Sequence, residues 1–137
     1  DAVVAALDRD PLPLLVLRPD DFSLEVSRDF MRGVKRTIDE GPGFAIVDRL
    51  PVDRWSPDGA KAVWWLLASL VARPVAQKWD GTSIYDVTDL GKPPGNGVRP
   101  DVTNHEQNFH TDNSYNHVPP HYVGLLCLRT AMAGGVL

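Results

Sequence analysis

The chain has 137 residues, 43% hydrophobic and 23% charged, with a formal net charge of −4 at pH 7. That length allows at most one domain on the usual scale of ~100–200 residues, and the composition is that of an ordinary globular protein. The charge argues against a broad nucleic-acid face, which needs clustered Lys and Arg, though not against a local basic pocket; no apolar run approaches the ~20 residues that cross a bilayer.

Residues 1–10 predict a short helical or frayed lead-in, broken by Pro11 and Pro13, with an edge strand over 14–17. The opening lacks the ordered regions of a secretory signal, so a cytoplasmic location is expected. Asp20, Asp21 and Ser23 offer an N-cap. Val26, Phe30, Val34 and Ile38 then recur every four residues, the mark of one helix face. Gly41-Pro42-Gly43 stops that helix, and 44–47 reads as a short buried strand.

A second strong helix starts at Ser56-Pro57, a capping residue followed by proline at the first helical position. Val63, Leu66, Leu67, Leu70 and Val71 form its apolar stripe, widened by Trp64 and Trp65, and Arg73-Pro74 ends it. An aromatic-rich helix packed on a sheet is the expected setting. Strands over 75–79 and 82–87 follow, joined by Asp80-Gly81, a pair suited to a two-residue hairpin turn.

Residues 88–103 are rich in Gly and Pro and predict a lid-like loop or a plain connection. An extended polar segment runs from 104 to 115. Pro119-Pro120 turns the chain into a nearly apolar strand over 122–128, where Cys127 is expected as a buried thiol. The single cysteine cannot form an internal disulfide. The expected organisation is one partial domain: helices and hairpin over 1–87, the loop over 88–103, and two strands over 104–137. The absence of an initial Met and the stop at Gly134-Gly135-Val136-Leu137, directly after a strand, lead us to expect a larger protein. Helices and a hairpin followed by strands suit a helix-backed β-sandwich or jelly roll, of mainly β or α+β class.

The chemistry concentrates in Phe109-His110-Thr111-Asp112-Asn113-Ser114-Tyr115. In an extended strand, residues two apart share a face. His110 and Asp112 can then reach one point in space, as two parts of the 2-His-1-carboxylate arrangement that holds Fe(II). On the same strand, Asn104, Glu106, Asn108 and Ser114 would join that face, with His105, Gln107, Phe109, Thr111 and Asn113 opposite. A structural polar pair at a strand end remains an alternative. So does a zinc site in which His117 or His121 completes a tetrahedral set with His110 and Asp112.

Residues 99–136 resemble the taurine dioxygenase (TauD/TfdA-like) family. The matching features are Arg99-Pro100-Asp101, Asn104, His110-Thr111-Asp112, Ser114-Tyr115, Pro119-Pro120, the apolar 125–128 and Gly134-Gly135. The resemblance implies a double-stranded β-helix, a clavaminate synthase-like jelly roll with flanking helices, incomplete in this chain. It implies Fe(II) as cofactor and 2-oxoglutarate as co-substrate. Oxidative decarboxylation to succinate and carbon dioxide would be coupled to attack by O2-derived oxidant on an unactivated C–H bond, by default as hydroxylation. His110 and Asp112 become two of three iron ligands. The distal histidine and the arginine clamping the far carboxylate of 2-oxoglutarate would lie beyond the chain, and Leu137 stands where the family often has a Thr or Ser contact to that co-substrate. Glu106, four before the metal histidine, matches a substrate-holding position, with a solvated charge or a pair with Arg99 as alternatives. Asn104, Asn108, Asn113 and Tyr115 are further substrate-site candidates. The expected partners are a small-molecule substrate and O2, with no nucleic acid and no membrane. A zinc hydrolase and a non-catalytic jelly-roll binding module are the competing functions.

Overall fold

The computed structural model describes residues 1–95, 97–131 and 133. The regular structure among them is helical: α1 Ala2–Arg9, α2 Glu25–Glu40 and α3 Pro57–Val71, with short 3-10 turns between. Among the described residues there is no strand or bridge, which contradicts the expected jelly roll. The physical reason is that a strand requires a neighbour to take up its N–H and C=O groups. Segments 44–47, 75–79, 82–87, 104–115 and 122–128 have strand-like composition but form no such ladder. Residues 14–17 close into a 3-10 turn (Leu14–Val16) instead of an edge strand. Without a covering sheet, Phe44, Ile46 and Cys127 are exposed, not buried as the sequence suggested.

The chain divides into two compact units, Asp1–Pro74 with Gly124–Leu137, and Val75–Val123. In the first, α3 packs against both α1 and α2. Its start follows the sequence signal: the Ser56 hydroxyl accepts the Gly59 N–H at 3.1 Å, and Pro57 occupies the first turn. Such a cap satisfies a donor that no helical carbonyl can reach. Gly59 allows α1 to approach, since a Cβ there would stand 3.1 Å from Val4 Cγ1. Leu66, 2% exposed, is the centre of a small core with Leu17 and Ala62, flanked by Val3, Leu7 and Trp65. The Trp65 indole N–H donates to the Leu17 carbonyl at 3.2 Å, which satisfies the polar end of a large apolar side chain.

Helix α2 ends at its signal, with Gly41 just past its last turn, but its N-cap is Leu24, without a side-chain cap, and not Asp20, Asp21 or Ser23. Its inward face differs from the expected one. Val26 is 85% exposed and Phe30 54%, whereas Met31 is buried. The less exposed positions run Leu24, Ser27, Arg28, Met31, Val34, Lys35 and Ile38, a stripe at the same period but rotated around the helix. Period alone fixes the helix, and the neighbour decides which stripe is covered.

In the second unit, the Asp80-Gly81 turn forms with a different loop length. The Gly81 N–H donates to the Lys78 carbonyl at 3.1 Å, and Gly81 has φ +90. The backbone N–H groups of Gln77 and Lys78 both point to the Thr82 carbonyl, at 2.7 and 3.3 Å. The loop therefore spans Trp79-Asp80-Gly81, with glycine supplying the left-handed residue, as in three-residue hairpin loops. Residues 88–103 close at their neck: the Thr88 N–H donates to the Asp101 carbonyl at 3.1 Å and the Leu90 N–H to the Val102 carbonyl at 3.0 Å.

Candidate metal-binding site

Residues 105–108 carry no regular secondary structure, the chain bends at Phe109, and a turn covers 112–115. Asn113 has φ +50, a left-handed conformation that Asn tolerates better than most side chains. The Asn116 N–H donates to the Asn113 carbonyl at 3.0 Å, and the Tyr115 hydroxyl donates to Asn113 Oδ1 at 2.9 Å. The backbone therefore reverses immediately after Asp112.

This bend brings His110 and Asp112 together without a strand. His110 Nε2 lies 3.2 Å from Asp112 Oδ1. On the other side of the ring, Nδ1 is 2.9 Å from the Asn108 carbonyl. A carbonyl can only accept, so Nδ1 carries a proton and Nε2 is the ring nitrogen left to face Asp112. In the ring form that leaves Nε2 unprotonated, its lone pair and a carboxylate oxygen face one another. The Gln107 amide, 3.2 Å from Nε2, is the donor within reach of the ring nitrogen.

Such a pair suits a cation. Two ligand atoms at right angles, each roughly 2.1 Å from a metal, are ~3 Å apart. The 3.2 Å separation of Nε2 and Oδ1 is close to that bite. The Nδ1–H to carbonyl bond is the outer contact that commonly fixes a metal-bound histidine in the tautomer it needs. The side chains of His110 and Asp112 are 46% and 48% exposed, so both remain open to an incoming ion. Among the described residues, no third His, Cys, Asp or Glu joins them. His117 and His121 therefore do not complete the tetrahedral set considered for zinc.

The other sequence-selected residues divide. Asn108 contributes its backbone carbonyl to His110, while Asn113 and Tyr115 bond to each other in the following turn. Asn104 and Glu106 are exposed, and among the described residues neither is hydrogen-bonded to the His110–Asp112 pair. Arg99 does not pair with Glu106; its Nε donates to Asp101 Oδ1 at 3.0 Å. That bond, and then the charge of Asp101, raise the Arg99 pKa above its ordinary value. Gln107 was assigned to the opposite face by strand parity, yet it reaches His110. The bend at Phe109 brings it round, a departure from strand parity within the segment itself. Leu137 and Gly134-Gly135 lie outside the described residues.

No curated protein and no solved structure matches the chain. A match to the model of the taurine catabolism dioxygenase TauD, TfdA family covers residues 10–136, nearly the whole sequence. Among the described residues, no helix is long and apolar enough to cross a membrane. The chain belongs to the taurine catabolism dioxygenase TauD, TfdA family.

Proposed function

We propose that His110 and Asp112 are two of the three iron ligands of a 2-oxoglutarate-dependent dioxygenase that hydroxylates an unactivated C–H bond of a small molecule. The family is one of Fe(II)- and 2-oxoglutarate-dependent dioxygenases, which supports the general reaction. The observation that carries the residue assignment is the convergence of Nε2 and Oδ1 at 3.2 Å, with Nδ1 already committed to Asn108. When bound, Fe(II) with 2-oxoglutarate and O2 supplies the oxidising power, and succinate and carbon dioxide are released. Among the described residues no further His, Cys, Asp or Glu completes the pair.

The protein's own contribution is positioning. Asn108 holds the His110 ring in the tautomer whose Nε2 can ligate, and Asp112 supplies negative charge beside it. Asn113 and Tyr115 stiffen the turn after Asp112 and form one wall of the substrate site, with Asn104 and Asn108 lining its approach. Glu106 is exposed and unpaired with Arg99, which leaves its carboxylate available to an amine or hydroxyl on the substrate.

The test is Asp112→Ala in the complete protein. Succinate formation should be abolished while the helical circular dichroism is unchanged, since Asp112 is exposed and supports no core contact. Equal loss of fold and activity would make Asp112 structural.

A further inference from the structure

The imidazole of His110 is held on both sides by residues of its own segment. Nδ1 lies 2.9 Å from the Asn108 carbonyl. Nε2 lies 3.2 Å from the Gln107 amide nitrogen and 3.2 Å from Asp112 Oδ1. All of these contacts fall within residues 107–112, around the bend at Phe109. Burial does not drive that bend, since Phe109 is 98% exposed. Gln107 is exposed as well, so water could solvate its amide, and fixing so long a side chain costs rotamer entropy. Its amide nonetheless meets the ring nitrogen that faces Asp112.

The three contacts differ in what ligation would do to them. The Asn108 carbonyl acts at Nδ1, away from the ligating nitrogen, so that bond persists when Nε2 takes an ion. Asp112 faces Nε2 and shares the ion with it. Gln107 is in conflict with ligation. An unprotonated Nε2 offers a single lone pair, and an amide N–H and a metal ion both require it. The amide nitrogen carries donors and no lone pair for a cation, so it cannot stay where it is as a ligand. An ion reaching Nε2 therefore has to displace the Gln107 amide.

We infer that Gln107 is a place-holder for the metal: its amide covers the Nε2 lone pair and is expelled when the ion binds. The bond stabilises the protein without an ion and is lost on ligation. It lowers the affinity for every divalent ion by one common factor, about two- to fivefold, the scale of one hydrogen bond at an exposed site. Gln107 is thus a positioning residue that tunes occupancy of the site, and it contributes nothing to the coordination sphere. The inference rests on the reading of His110 and Asp112 as ligands.

The test reads the ring and metal binding, not turnover. The complete protein, stripped of metal by chelation, is compared with Gln107→Leu, which keeps similar bulk and removes the donors. Gln107 is exposed, so the helical circular dichroism should be the same in both. Two-bond proton–nitrogen spectra are recorded above the ordinary histidine pKa. In the variant, His110 Nε2 should move toward the position of an unbonded acceptor nitrogen while Nδ1 stays in place. Titrations with Co(II), Zn(II) and Mn(II) should show tighter binding to the variant by the same factor for each ion, with an unaltered Co(II) visible band. An unmoved Nε2 signal, equal or weaker binding, or a gain confined to one ion would overturn the proposal. An altered Co(II) band would put Gln107 in the coordination sphere and overturn it too. His110→Ala separates the two readings. Binding that survives it refutes the ligand assignment; binding lost with it yet insensitive to Gln107→Leu refutes the place-holder alone.

Discussion

Gly124→Ala places a methyl where the indole of Trp64 already lies. A Cβ at Gly124 would be 2.7 Å from Trp64 Cζ2 and 3.1 Å from Cη2. Carbon atoms settle at ~3.5–4.0 Å, so one side must give by roughly an ångström. Trp64 is half-buried on α3, so turning its ring away from residue 124 would expose apolar surface. Overpacking of this kind costs about 1–3 kcal/mol. Against it, alanine restricts the unfolded chain and returns ~0.4–1 kcal/mol, because the backbone at Gly124 is not left-handed. The expected net loss is about 1–2 kcal/mol. Urea unfolding followed by helical circular dichroism measures it. The decisive comparison is the same substitution in a Trp64→Leu background, where the obstructing ring is gone and Gly124→Ala should become neutral or stabilising. An equal loss in both backgrounds would refute the steric explanation.

Other expectations follow from the same geometry. Leu66→Ala should cost about 2–5 kcal/mol in thermal or urea unfolding, since Leu66 is 2% exposed and central to a core of few residues; a loss below 1 kcal/mol, the scale of a surface change, would mean that α3 is not the organising element. Gln107→Ala should tighten Co(II) binding to the protein carrying all three ligands by about two- to fivefold, because the Gln107 amide competes for the Nε2 lone pair. Weaker cobalt binding would instead make Gln107 a supporting residue. Glu106→Gln should raise the substrate KM while iron loading stays constant, and the reverse pattern would remove Glu106 from the substrate site.

The parts legible in the sequence are those decided by near neighbours. Ser56-Pro57 set the start of α3 because a cap acts on the helix's own first N–H groups. Gly41 marked the end of α2 for an equally local reason. The strands failed because pairing is a property of two segments, and the composition of 82–87 or the apolar run 122–128 says nothing about whether a partner lies alongside. The buried stripe of α2 failed for a related reason: Met31 is covered and Val26 is not, a choice made by α3 rather than by α2.

The candidate site shows the same division. His110 and Asp112 were identified by type and spacing, and they do converge, but through a bend at Phe109 and a turn at Asn113 instead of strand parity. Parity therefore placed Gln107 on the wrong side of the ring and grouped Asn104 and Glu106 with a pair they do not touch.

Anaerobic addition of Fe(II) and 2-oxoglutarate to the complete protein tests the iron assignment most directly. A visible absorption band requiring both additions, and missing from His110→Ala and Asp112→Ala, is the expected result. A band that survives in both variants, or tight uptake of one zinc ion with no response to 2-oxoglutarate, would contradict it.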